Sequence, residues 1–139
     1  MPNIPRFHLA FPVRDIDEAR RFYADIMGCN EGRSGEHWVD FDFFGHQIVA
    51  HVSETPADQT QSEVDGEGIP LRHFGVILTP EDWEALTVRL KAANVEFVIE
   101  PQVRFKGQIG EQASCLFLDP SGNALELKAF SDESTIFLS

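Results

Sequence analysis

The sequence predicts an α+β fold built by repeating one order: strand, capped helix, strands, glycine turn, strand. Three observations carry this. Apolar residues alternate with a period of two in residues 7–13, 38–43, 46–52 and 71–78, but recur at helical spacing in residues 16–27 and 83–93. Histidines His8 and His73 lie 65 residues apart, and so do the helix-start residues Asp15 and Pro80 that follow them. The last turn glycine of each half, Gly45 or Gly122, precedes the closing strand; these lie 77 apart, so the second half holds 12 extra residues, assigned to a loop over 100–112.

In the first strand, residues 7–13, Phe7, Leu9 and Phe11 share one face, and His8, Ala10 and Pro12 the other. Asp15 with Glu18 three residues on is a capping-box arrangement. Ile16, Ala19, Phe22, Tyr23, Ile26 and Met27 form one apolar stripe, and Gly28 ends the helix. Strands follow at Trp38–Phe43 and His46–Val52, turning at Phe44 and Gly45. Residues 53–69 carry Glu54, Asp58, Glu63, Asp65 and Glu67 without Lys or Arg, and read as a linker. The second half restarts at Leu71: His73, Gly75 and Ile77 face one way, Phe74, Val76 and Leu78 the other. Thr79 and Pro80 open a helix with Asp82 at the box position, and Trp83, Leu86, Leu90 and Ala93 make its apolar stripe. Residues 97–99, 103–105 and 113–118 supply further strands. Residues 119–123 form a tight turn into a last strand beginning at Ala124, on which Glu126 points opposite to Leu125 and Leu127.

With 139 residues, 42% of them hydrophobic and 12 of them Phe, the chain has ample material for one compact domain or two half-sized modules sharing a core. A formal net charge of -12 excludes nucleic acid or an anionic membrane as the main partner, because both demand a basic footprint. The two cysteines, Cys29 and Cys115, are too few for a disulfide scaffold and read as free thiols. The N-terminal residues lack a signal-peptide layout, and no run of ~18 apolar residues occurs. A soluble cytoplasmic protein is expected.

The run Asp119, Pro120, Ser121, Gly122, then Glu126 and Leu127, is a D-P-x-G-x-x-x-E-[LF] hairpin near the chain end. Together with a histidine near the start of each half, it resembles the vicinal-oxygen-chelate superfamily of glyoxalase, bleomycin-resistance and extradiol dioxygenase proteins, over residues 6–130. The resemblance implies two βαβββ modules forming a cup-shaped mixed sheet, with a helix on the outer face of each. Module one would span residues 6–52, the acidic linker 53–69, module two 70–130 and the tail 131–139. It also implies a divalent metal held by His8, His73 and Glu126, and a homodimer, across which the apolar tail Ile136, Phe137 and Leu138 packs unless it frays.

Two histidines and one carboxylate leave coordination positions open and suit Fe(II), with Mn(II), Zn(II) and Ni(II) as competitors. Both histidines must be neutral to bind, so affinity falls in acid. Counting four residues from each turn glycine pairs Val49 with Glu126. The glyoxalase I pattern has a second Glu there, so Val49 argues against that activity. A three-ligand centre fits extradiol ring cleavage, in which catechol takes two metal positions and O2 a third. Such chemistry needs an acid/base, for which His51 is the candidate, sharing a strand face with Val49 and Gln47. His51 is otherwise a structural or pocket-mouth residue. Gln47, Arg104 and Lys106 are candidates for binding a small-molecule substrate, the two cations being otherwise ordinary surface charge. Two other readings stay open: a metal-dependent transferase of the fosfomycin-resistance type, and a non-catalytic binding module of the bleomycin-resistance type.

Overall fold

The computed structural model describes residues 4–55, 60–64 and 67–138; Asp58 and Asp65 of the acidic linker and the final residue of the tail lie outside the described residues. Contacts divide the chain into two units, one comprising Met1–Asp58 with Pro120–Asn123 and the other Gln59–Asp119 with Ala124–Ser139.

The first unit runs β1 (His8–Val13), α1 (Ile16–Arg20), β2 (Glu31–Ser34), β3 (Trp38–Phe43) and β4 (His46–Val52). Its sheet has the order β1-β4-β3-β2, with β1 and β4 parallel and the other pairs antiparallel. Asp15 caps α1 as expected, its Oδ2 accepting from the Glu18 amide at 3.2 Å. The reciprocal half of the box is not made, because the Glu18 carboxylate takes the Arg14 guanidinium instead, at 2.7 and 2.8 Å. After Arg20 the helix widens into a π-helical segment, Arg21–Ile26, which closes at Gly28 with φ 81°. Its side chains make the core. Tyr23 is fully buried, with ring centroids of Phe22, Phe41 and Phe11 at 4.9, 5.3 and 5.4 Å. The helix therefore covers the Phe11 and Phe41 face of the sheet and leaves the His8 and Ala10 face on the other side.

The second unit repeats that order as β7 (His73–Ile77), α2 (Pro80–Ala92), β8 (Phe97–Arg104), β9 (Gln112–Leu118) and β10 (Ala124–Phe130), arranged β7-β10-β9-β8 with β7 and β10 parallel. Thr79 Oγ1 caps α2 by accepting from the Asp82 amide at 3.2 Å. Leu86 and Leu90 are buried, and the Trp83 indole N–H donates to the Leu127 carbonyl at 3.0 Å, fastening the helix to β10. An antiparallel hairpin, β5 (Gln61–Val64) with β6 (Glu67–Pro70), lies within the stretch expected to be a plain linker. The extra residues of this half are divided between a longer β8 and the turn after it. β8 runs through Glu100 and Pro101 with irregular register rather than breaking into a loop. In the tail, Glu133–Thr135 form a 3₁₀ turn, after which Phe137 and Leu138 are exposed.

Candidate metal centre

Backbone register supports the internal equivalence read from the sequence. In the first sheet His8 lies opposite Gln47 and Ala10 opposite Val49. In the second, His73 lies opposite Ala124 and Gly75 opposite Glu126. The two histidines thus hold the same place in their units, and Val49 holds the place of Glu126. Val49 is buried and supplies no donor atom.

Within the second unit the structure brings His73 and Glu126 together. Strand alternation puts Glu126 and Lys128 on the face opposite Leu125 and Leu127, both fully buried. His73 Nε2 lies 3.5 Å from Glu126 Oε1, with the side chains 31% and 18% exposed respectively. His73 Nδ1 lies 2.9 Å from the Pro70 carbonyl oxygen, at the end of β6. A carbonyl oxygen only accepts, so Nδ1 carries a proton and Nε2 is the atom turned towards the carboxylate. Lys128 Nζ stands 3.7 Å from the same Oε1. Strand alternation alone places this lysine on the Glu126 face, since it follows Glu126 by two residues.

Gly75 is required by the close approach of the two strands. A Cβ at that position would collide with the Glu126 carbonyl oxygen, so the glycine admits the β10 backbone rather than opening space beside His73.

In the first unit, His8 Nδ1 lies 2.8 Å from Gln47 Oε1, and Gln47 Nε2 donates to Asp40 Oδ2 at 3.0 Å. Both ends of the Gln47 amide, expected to face substrate, are therefore engaged by protein side chains. His51 is exposed at the far end of the strand face, opposite Pro12, four positions or about 13 Å of strand beyond Gln47. Arg104 ends β8 opposite Gln112, its guanidinium 5.6 Å from the Phe105 ring centroid, and exposed Lys106 follows in the turn. That row lies two strands across and four residues along from the Glu126 row. Cys29 and Cys115 are both buried and form no disulfide, and burial pushes the Cys115 thiol up to about 12, so Cys115 is not placed to act as a thiolate. Among the described residues no group of three or more His, Cys, Asp and Glu side chains is gathered for a metal ion, and no helix is long and apolar enough to cross a membrane.

These features define a class: an α+β protein made of two βαβββ units, one of which pairs an imidazole with a carboxylate on adjacent parallel strands. The chain belongs to the Glyoxalase/Bleomycin resistance protein/Dioxygenase superfamily, whose family model matches residues 7–127. It is similar to a glyoxalase/bleomycin resistance protein/dioxygenase crystal structure from Alicyclobacillus acidocaldarius, at 34% identity and TM-score 0.82, covering 99% of this chain and 100% of that one. The fosfomycin resistance protein FosX from Listeria monocytogenes shares the fold at 21% identity and TM-score 0.73, over 97% of this chain and 100% of that one. By sequence, the glutathione transferase FosA of Serratia marcescens is 26% identical over 129 residues, 86% of this chain and 77% of that protein.

Proposed function

We propose that this protein is a metal-dependent enzyme acting on a small molecule that presents two neighbouring oxygens, with Glu126 and the Nε2 atoms of His73 and His8 as protein donors. The observation that carries the reading is the His73 and Glu126 pair. Its Nδ1 proton is held by the Pro70 carbonyl, so in neutral His73 a lone pair faces a carboxylate oxygen at 3.5 Å. Two such electron-rich atoms repel unless a cation lies between them, either a proton or a metal ion. Donors in neighbouring positions around a divalent ion bound at about 2.1 Å stand about 3.0 to 3.4 Å apart, close to the spacing found. His8 is the third donor that the proposal adds.

When bound, a divalent ion would polarise the oxygens of the substrate and lower their pKa. The chain's own residues supply the rest. Glu126 and His73 fix where the ion sits, and the Lys128 ammonium beside Glu126 gives a chain of strongly negative charge a local point of attraction for an anionic group. The Lys128 position and the FosA relative together support group transfer to a small anionic substrate. A three-donor centre, with Val49 in place of a fourth donor, supports the second reading, an extradiol-type oxygenase, for which Fe(II) is the fitting metal and Mn(II) the alternative. In either case His51 serves as acid/base only for a substrate long enough to reach along the strand. A homodimer is part of the proposal and is read directly by sedimentation.

The deciding experiment is metal analysis of protein purified without chelator or affinity-tag metal. About one Fe, Mn, Zn or Ni per chain is expected, with loss in His73→Ala, Glu126→Gln and His8→Ala. Oxygen uptake with catechols and glutathione consumption with fosfomycin then separate the two chemistries. A wild-type protein that neither carries nor takes up metal sinks the enzyme reading in favour of a binding module.

A further inference from the structure

His73 leans on a main-chain carbonyl, an acceptor that cannot change into a donor. His8 leans on the side-chain amide of Gln47, which can, since a half-turn of the amide would offer His8 an NH2 group instead. Something must decide which way the amide faces. Asp40 does so. It lies on β3 opposite Val49, one step diagonally from Gln47 on the same face, and its Oδ2 accepts from Gln47 Nε2 at 3.0 Å. A carboxylate accepts and does not donate, so the atom turned to Asp40 is the amide nitrogen and the atom turned to His8, at 2.8 Å, is the oxygen. That oxygen requires a proton on His8 Nδ1, and a neutral imidazole has only one. Asp42, the other acid on this face, is occupied in the turn, where its Oδ1 accepts from the Gly45 amide at 2.8 Å.

We infer that Asp40 and Gln47 are positioning residues that set the tautomer of His8 and present its Nε2 as a donor atom. The use made of that Nε2 rests on the metal reading above; the tautomer does not. Acceptors behind a ligating imidazole orient the ring and raise its basicity, and their loss typically weakens metal binding by about 10- to 100-fold.

The test uses a charge-conserving exchange. In Asp40→Asn the lock is gone, because the introduced amide can donate to Gln47 Oε1 and let the Gln47 amide turn over. In Asp40→Asn/Gln47→Glu the introduced carboxylate can only accept, so it restores the demand for a proton on Nδ1. Long-range ¹H–¹⁵N spectra of the metal-free full-length protein at about pH 8 read the tautomer directly. The expected result is Nδ1–H for His8 in the wild type, a mixture or Nε2–H in Asp40→Asn, and Nδ1–H again in the double variant. Mn(II) and Zn(II) affinity, measured by equilibrium dialysis, is expected to fall about 10- to 100-fold in the single variant and to recover in the double. An Nε2–H tautomer in the wild type, or no change in Asp40→Asn, overturns the inference. Normal wild-type spectra with metal affinity unchanged in His8→Ala overturn the metal role of His8 while leaving the tautomer control standing.

Discussion

Gly75 sits where the β10 backbone comes against β7, and the Glu126 carbonyl oxygen occupies the volume its Cβ would take. In Gly75→Ala that contact can be relieved only by moving main chain, since no flexible side-chain end lies in the way. We expect a loss of about 1–3 kcal/mol in urea unfolding, in line with overpacked positions. Because the displaced strand carries Glu126, metal affinity should fall as well. Equal stability of variant and wild type would show that the strands separate without cost. A sequence cannot reveal this role. The glycine, and its place two residues after His73, are legible by alternation, but what presses on it depends on the pairing of β7 with a strand some fifty residues later. The same limit hid the Asp40–Gln47–His8 chain, whose members meet across three strands, Asp40 diagonally from Gln47 and His8 directly opposite it. The faces of His73 and Glu126 were legible because each needs only the period of its own strand, while their pairing as metal donors came from the family resemblance.

Among the elements, those whose burial follows a simple period were readable. Trp38–Phe43 alternates clearly and forms β3 at those bounds; His46–Val52 forms β4 at its expected bounds too, although Ile48, Val49 and Ala50 are buried in succession. β2 was not readable: Glu31–Ser34 is exposed at every position and is a strand only because β3 pairs with it. β8 contains Glu100 and Pro101, residues that argue against a strand, and its irregular register accommodates them. The helices differ in what holds them. α2 has a Thr79 cap, an N-terminal proline and a tertiary hydrogen bond from Trp83 to β10. Thr79→Ala should cost about 1 kcal/mol through the cap alone. Trp83→Phe keeps much of the apolar bulk but withdraws the indole donor from the Leu127 carbonyl, and should cost about 1 kcal/mol or more. Chemical denaturation of both variants and the double checks this. The two sites lie on one helix, so a double loss well below the sum would mean that α2 comes away from the sheet as one piece.

Across the whole molecule, one order of elements is used twice with the same sheet order, and the halves differ in the donors they offer. Register places Val49 where the other unit has Glu126, so the second unit carries the carboxylate, an imidazole and Lys128, and the first carries only His8 with its two supports. This asymmetry was legible from the turn glycines alone, whereas the β5 and β6 hairpin was not, because its residues have no apolar period. Net charge acts at this scale too. At -12, with a sequence pI near 4.6, the folded chain is under self-repulsion at neutral pH. The ion pairs Arg14–Glu18 and Arg20–Glu31 are partly exposed and worth at most about 1 kcal/mol each. Screening should therefore relieve more repulsion than it removes attraction, and thermal stability at about pH 7.5 should rise as NaCl is raised from about 0.01 to 0.3 M. A falling midpoint would mean that pairs outweigh repulsion. Acidification adds a second limb with the opposite sign. Hydrogen bonding by Arg14 lowers the Glu18 pKa from 4.5, Ser134 lowers that of Asp132 from 3.8, and Ser131 with the Gly107 amide lowers that of Glu111 from 4.5. A carboxyl with a lowered folded-state pKa contributes stability that is complete above its unfolded value and is lost as pH falls through the folded one. From about pH 7.5 to about 5.5 these groups stay charged while the net negative charge shrinks, so the urea midpoint should rise; by about pH 3.5 they are being protonated and it should fall below its value at about 5.5. A midpoint that declines steadily from about pH 7.5 downward would show that the local carboxylate contacts, not the repulsion of the whole chain, govern stability over that range.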